Sequence, residues 1–153
     1  NARTYNGADP LRVSAYPHWI TPFTWDGVVE TPAVFALAPV NSLAPEVDPA
    51  GELEIRHKPE ETPITLAAKK SYLGRVYLDW AQYPITETQA LSDGGYIVHF
   101  QDLRYVRLAS ALGRGRRRRP LSAGVKLDGN LRVVGDVYET DEGQIIVPEP
   151  RQR

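Results

Sequence analysis

The sequence predicts an α+β fold, in which about seven strands form a mainly antiparallel sheet that packs against one principal helix near residues 63–82. Several short segments alternate apolar and polar side chains, which is typical of half-buried strands. Only one stretch has the apolar spacing of a helix. Turns, and not further helices, separate the strand-like segments, so the regular strand–helix alternation of a parallel sheet is missing.

The N-terminal part is predicted to form consecutive antiparallel strands. Residues 11–16 alternate between two faces, and a second β pattern runs over residues 25–37 with an interruption at Pro32. Residues 38–63 are rich in proline and acidic side chains, which favours a solvated loop and edge. Within that stretch, only residues 53–57 have the pattern of a strand.

The helix is expected to begin near Pro63 and to end before Pro84. Thr62 can cap the free amides of the first turn, and proline is tolerated at the first helical position because its missing N–H is not needed there. Apolar side chains follow at spacings that place them on one stripe, which we expect to pack on the sheet. They are Leu66, Leu73, Val76, Tyr77 and Trp80.

The C-terminal part is predicted to return to antiparallel strands. Residues 96–108 alternate after a glycine-rich reversal and should form one strand. Asp128-Gly129 is a strong signal for a tight hairpin between residues 124–127 and 131–138, because glycine adopts the positive φ angles that such a turn requires. A last edge strand is expected at residues 145–147.

Composition limits the class of protein. A chain of 153 residues is expected to form a single soluble domain over residues 1–153. The absence of cysteine excludes disulfides, a thiolate nucleophile and cysteine-rich zinc sites. The formal charge of −1 excludes a globally basic nucleic-acid binder. Because the chain has no methionine and no membrane-spanning apolar run, we expect a soluble piece of a longer protein, with residues 1–2 as a cloning remnant.

No motif for hydrolysis or for metal binding is found, so no catalytic residue, metal ligand or cofactor is predicted within this chain. The three histidines lie far apart and outside any HxH or HExxH arrangement. Asp26 and Glu30 are interpreted as solvated strand charges. A complete small hydrolase that uses these two carboxylates and His18 is the least favoured hypothesis, because nothing orients the three groups. The histidines are His18, His57 and His99.

Two short segments are candidates for binding. Phe23 and Trp25, close to Trp19, concentrate aromatic surface that belongs either to the core or to an interface with a partner or membrane. In the segment Asp102-Leu103-Arg104-Tyr105, the acid and the base lie two residues apart on the predicted strand. They therefore share one face and could bond each other or a cross-strand neighbour.

Residues 111–120 form the third candidate, an exposed loop that contains five arginines between glycine and proline. Three interpretations stay open: a solvated loop, attraction to anionic lipid head groups at about 1 kcal/mol per basic side chain, or loose nucleic-acid binding. Sequence-specific nucleic-acid recognition is not expected, because no aromatic residues are interleaved with the arginines. The arginines are Arg114, Arg116, Arg117, Arg118 and Arg119.

Four short motifs, at residues 13–17, 22–30, 83–84 and 102–105, occur in an order and spacing that are familiar. They resemble the C-terminal region of the YdjM/YfhP-like family of membrane-bound, metal-dependent hydrolases. The resemblance covers residues 11–131, which is most of the chain. Trp25, Asp102, Arg104 and Tyr105 fall at the recurrent positions of the pattern, with no role assigned to them.

The resemblance implies that a bundle of membrane helices, absent from this chain, carries the histidine and aspartate motifs for a divalent metal. This chain would then be a non-catalytic, soluble accessory domain that packs on or near the membrane-embedded catalytic part of the same polypeptide in a bacterial inner membrane. The arginines favour the cytoplasmic face. The alternative is a freestanding binding module whose arginine loop contacts anionic lipid, nucleic acid or an acidic protein.

Overall fold

The computed structural model describes residues 9–17, 21–44, 51, 53–106, 121–140 and 143–148. Within these residues, nine strands form two antiparallel sheets, of four and five strands, and two helices have eight or more residues. The predicted α+β class is confirmed. The chain divides into two compact units, Asn1–Lys58 and Pro59–Arg153, and each unit holds one of the sheets. The single domain stays a prediction.

The first unit contains a sheet in the order β1-β2-β3-β4. Its central strand β3 is buried at every position from Val34 to Ala38. The predicted interruption at Pro32 is a tight turn, in which the hydroxyl of Thr31 accepts from the amide of Val34 at 3.0 Å. The strands are β1 (Arg12–Pro17), β2 (Thr24–Glu30), β3 (Val34–Asn41) and β4 (Glu54–His57).

Strand β3 extends into the proline-rich stretch that was expected to be a loop. It pairs with β2 as far as Asn41, and Pro39 lies opposite Asp26. On its other side, β4 pairs only with residues 34–37 of β3. On the β4 side of β3, no described strand pairs with Pro39. The N–H that proline lacks therefore interrupts no hydrogen-bond ladder on that side.

The second unit contains a sheet in the order β5-β6-β7-β8-β9. The predicted hairpin at Asp128-Gly129 joins β7 to β8, and the amide of Asp128 donates to the carbonyl of Arg132 at 2.9 Å. The positive φ angle expected of Gly129 is found at Leu131 instead, at 61°. The predicted edge strand near residue 146 is also present. The strands are β5 (Pro84–Ala90), β6 (Tyr96–Asp102), β7 (Ala123–Leu127), β8 (Val133–Thr140) and β9 (Gly143–Pro148).

The predicted helical region is present, but Ser71 divides it into α1 (Pro63–Lys70) and α2 (Tyr72–Trp80). Thr62 caps α1 as expected. Ser71 has extended backbone angles, and its hydroxyl donates to the carbonyl of Ala68 at 2.8 Å and accepts from the amide of Gly74 at 3.0 Å. Because one serine side chain satisfies both helix ends, two short helices replace the single long one.

This division changes which side chains face the sheet. The core of the second unit joins Ala68 and Tyr77 of the helices to apolar side chains of β6 and β7, and Leu73 packs against it partly buried. The other members of the predicted stripe are exposed: Leu66 by 39%, Val76 by 48% and Trp80 by 46%. The prediction that these three side chains pack on the sheet is wrong, because the helix is interrupted at Ser71 and the buried helical residues are mainly small ones. They are Thr65, Ala68, Gly74 and Tyr77. Within the described residues, neither helix is long and apolar enough to cross a membrane.

Candidate functional site

The candidate site lies where β6 ends, at the predicted Asp102-Arg104-Tyr105 motif. Asp102 is the last residue of β6, pairs with Pro84 of β5, and is 1% exposed. Residues 103–106 are helical, so the strand predicted over 96–108 is wrong at these four residues, while residues 107–108 lie outside the described part of the chain. The physical reason is a cap: the Oδ1 atom of Asp102 accepts from the backbone amide of Arg104 at 3.0 Å.

Asp102 and Arg104 form a nearly buried ion pair. The Nε atom of Arg104 lies 3.1 Å from Oδ1 and 3.0 Å from Oδ2 of Asp102, and Nη2 donates to Oδ2 at 2.8 Å. The backbone amide of Gln82 also donates to Oδ2, at 2.8 Å. The side chain of Arg104 is only 15% exposed and that of Asp102 is fully buried. The prediction that the acid and the base could bond each other is confirmed, although a helical turn and not a strand brings them together.

These contacts determine the charge of Asp102. Burial by itself would raise the pKa of the carboxyl group, but the hydrogen bonds from the Arg104 side chain and from the amides of Arg104 and Gln82 outweigh it. The pKa therefore lies below its usual range. An ionised carboxylate whose oxygens are held by this many donors positions Arg104 and is poorly suited to accept a proton from a substrate.

Two aromatic rings lie against the same arginine. The rings of Trp80 and Tyr105 are stacked with centroids 5.9 Å apart and planes 11° apart. The Cζ atom of Arg104 lies 5.4 Å from the Trp80 centroid and 5.1 Å from that of Tyr105, within cation–π range. We call these three side chains the Trp80–Arg104–Tyr105 cluster. Sequence analysis missed Trp80 as a site residue, because its helical spacing pointed to the core.

The cluster continues along the outer face of α2. Tyr72, Val76 and Trp80 follow one another at intervals of four residues, which places them side by side on a helix. They are 53%, 48% and 46% exposed. We call these three residues the α2 band. The charged side chains that are exposed next to it, Arg75 and Asp79, have opposite signs.

Tyr77 connects the cluster to the core below it. Its ring contacts Trp80 edge-on at 5.6 Å and Phe100 at 5.8 Å, and its hydroxyl donates to the carbonyl of Leu121 at 2.8 Å. Burial, followed by the charge of Asp102, raises the pKa of the phenol far above its usual value. Tyr77 is therefore a neutral anchor that holds α2 against β6 and β7.

None of the described contacts joins the other predicted binding residues to the Trp80–Arg104–Tyr105 cluster. Trp25 belongs to the first unit, where it lies in β2 opposite Pro17 and Val40 and is partly exposed. The five arginines of the predicted loop, together with His18 and Trp19, lie outside the described residues. Their predicted roles stay predictions.

The remaining candidates for chemistry have structural surroundings. Glu30, on β2, binds Arg12 at 3.1 Å and Lys58 at 2.7 Å, and its side chain is only 19% exposed, so it is a paired strand charge and not the solvated one that was expected. His57 is exposed on β4, whereas His99 is buried in β6 opposite Gly124. Among the residues that the structure describes, no group of three histidine, aspartate or glutamate side chains could hold a metal ion.

No family model, no curated protein and no solved structure matches this chain. The resemblance to the YdjM/YfhP-like hydrolases therefore depends on the four short motifs alone, and it enters the functional argument as a hypothesis.

Proposed function

We propose that this chain is a non-catalytic accessory domain that binds the membrane-embedded catalytic part of a bacterial inner-membrane, metal-dependent hydrolase. The observation that carries the proposal is the stack of the exposed Trp80 on the half-buried Tyr105, beside an arginine that a buried aspartate holds in place. The family resemblance supplies the identity of the partner. The divalent metal is assigned to that partner, since the described residues here offer no suitable ligand group.

The residue types of the cluster favour a binding role. Tryptophan, tyrosine and arginine are the residues that most often dominate the binding energy of protein interfaces. Each supplies a large contact area, and Trp and Tyr also carry a polar group at one edge. In a chain with three tryptophans, one that lies 46% exposed on a helix and stacks on a tyrosine is a natural anchor for a partner.

The cluster is also organised before any partner binds. Three guanidinium contacts to Asp102 fix Arg104, and the stack restricts the rings of Trp80 and Tyr105. A long side chain that is already ordered does not lose rotamer freedom on association, which is a cost of about 0.5–1.5 kcal/mol for each side chain that binding immobilises. This preorganisation supports recognition of one defined surface.

The charge of the surface favours a protein partner over anionic lipid. Asp102 neutralises Arg104, and the exposed charges of Arg75 and Asp79 on α2 cancel. What the α2 band and the cluster offer is therefore aromatic and apolar area with little net charge. Such a surface fits an apolar groove that also offers hydrogen-bond acceptors, either backbone carbonyls or side chains, as between the ends of membrane helices. It gains little binding energy from anionic lipid head groups.

The complete reading frame provides the first test. We expect several hydrophobic, membrane-spanning segments upstream of residue 3, together with histidine and aspartate motifs. A reading frame without them would contradict the proposal and would favour the freestanding binding module.

A binding measurement provides the second test. The membrane-embedded part, expressed separately in detergent micelles, should bind this chain, and Trp80→Ala should weaken the affinity by roughly 30-fold, which corresponds to about 2 kcal/mol. Leu43→Ala is the control, because Leu43 is an apolar residue of the first unit, 73% exposed, that belongs to neither the cluster nor the α2 band. Equal binding by wild type and Trp80→Ala would refute the role of the cluster. Binding to lipid vesicles but not to the protein partner would refute the proposed partner.

A further inference from the structure

Strand β9 differs from the other three strands that lie at the edges of the two sheets. Each of the others carries at least one charged side chain: Arg12 in β1, Glu54 and Arg56 in β4, and Glu87 in β5. Charged residues on an edge strand oppose pairing with another chain. The sequence of β9, Gly-Gln-Ile-Ile-Val-Pro, has no charge, and all six of its residues are exposed.

The exposed side chains of β9 are mainly apolar. Ile145, Ile146 and Val147 are 53%, 43% and 44% exposed, and alternation along the strand places them on both faces of the sheet. Tyr138 of β8, which lies opposite Ile145, is 45% exposed and enlarges the apolar surface on that face. We call these four residues the β9 patch. Ile145, Val147 and Tyr138 share one face of the sheet and Ile146 lies on the other, so this edge exposes apolar side chains on both faces.

We propose that β9 pairs with β9 of a second copy of this chain, antiparallel and across a twofold axis. The backbone groups on the outer edge of β9 face no described strand, and an edge strand is a template for a further strand. A twofold axis brings the same patch of each copy together and closes the assembly as a dimer. The two five-stranded sheets then become one continuous sheet.

The occupant is a second copy because the patch is complementary to itself. Within the strand itself, pairing of β9 with β9 brings no like charges together, whereas the same operation on β5 would place two Glu87 side chains, at the middle of that strand, near each other. Isoleucine and valine side chains of both copies cover one another on each face. Pro148, which has no N–H to donate, limits the new ladder to the residues before it.

Sedimentation equilibrium of the whole chain over a wide concentration range tests the proposal. We expect a monomer–dimer equilibrium, and Ile146→Lys should weaken it by roughly tenfold or more, because two lysines would meet near the axis. The Ile146 side chain is 43% exposed, so the substitution should leave the fold intact, as circular dichroism would show. A chain that stays monomeric at every concentration, or a dimer that Ile146→Lys leaves unchanged, would overturn the proposal.

A disulfide experiment gives independent evidence on the interface. The chain has no cysteine, so Ile146→Cys introduces one thiol near the proposed axis, and Thr88→Cys places a control thiol at the exposed, charged edge β5. With a copper–phenanthroline oxidant, Ile146→Cys should form a covalent dimer much faster than Thr88→Cys. Equal rates would contradict the pairing. If Trp80→Ala disrupts the dimer and Ile146→Lys does not, the interface lies on the α2 band. That result would also overturn the proposed pairing of β9.

Discussion

Replacement of Asp102 by asparagine tests whether the buried carboxylate holds the site together. The carboxylate is fully buried and accepts from the Arg104 guanidinium, from the Arg104 amide and from the Gln82 amide. Asparagine keeps the size of the side chain and an oxygen for the cap, but it removes the charge. Arg104, only 15% exposed, would then be a guanidinium without a counter-charge.

The magnitude follows from that burial. Removal of one partner from a buried ion pair costs about 3–5 kcal/mol, because the other charge is left desolvated and uncompensated. Since Arg104 keeps some access to water and asparagine keeps the cap, we expect the lower end, about 3 kcal/mol, for Asp102→Asn. Asp102→Ala also loses the cap, which adds about 1 kcal/mol.

The pH dependence provides a separate check. The pKa of Asp102 is lowered in the folded protein, so its charge stabilises the fold above the ordinary carboxyl pKa of about 3.9, and this contribution is lost as the pH falls toward the lowered pKa. The difference between wild type and Asp102→Asn should therefore be constant from neutral pH to about pH 5 and should shrink below about pH 4.

Urea unfolding, followed by circular dichroism and tryptophan fluorescence, measures these free energies of unfolding. Asp79→Asn is the matched control, because Asp79 is an exposed carboxylate on α2 and its loss should change stability by less than about 0.5 kcal/mol. If Asp102→Asn changed the free energy of unfolding no more than the control does, or if its effect did not shrink in acid, the ion pair would not be a source of stability.

Three further predictions concern local contacts and the arginine loop. Ser71→Ala should lower the free energy of unfolding by about 1 kcal/mol, because the Gly74 amide loses its cap. Ser71→Thr should keep most of this stability. An unchanged urea unfolding curve for Ser71→Ala would contradict the capping role. Tyr77→Phe should cost about 1 kcal/mol for the lost bond to the Leu121 carbonyl, and an unchanged melting curve would show that water replaces this bond without loss. Replacement of residues 116–119 by serine should abolish sedimentation with anionic vesicles and leave the melting temperature unchanged; wild-type binding should weaken with salt, and equal binding by both proteins would exclude the electrostatic role.

Local signals predicted several elements of the fold, although they gave no indication of β5. Thr62-Pro63 marked the start of α1, and Asp128-Gly129 marked the hairpin between β7 and β8. Both depend on the backbone angles and hydrogen bonds of adjacent residues, which the residue types themselves restrict. The polar pair Asp102 and Arg104 was also recognisable from the sequence, since two residues this close along a chain remain close in most backbone conformations.

The sequence by itself therefore determined the α+β class with its antiparallel strands, the cap at Thr62 and the hairpin at Asp128-Gly129. The tertiary structure decided the division into two sheets, the break at Ser71 and the exposure of Trp80. A helical stripe predicts which residues share a face, but not which face the sheet covers once a serine ends one helix and begins the next. That choice depends on contacts between segments far apart in the chain, such as Tyr77 against Phe100 and Trp80 against Tyr105, and no periodicity within one segment records them.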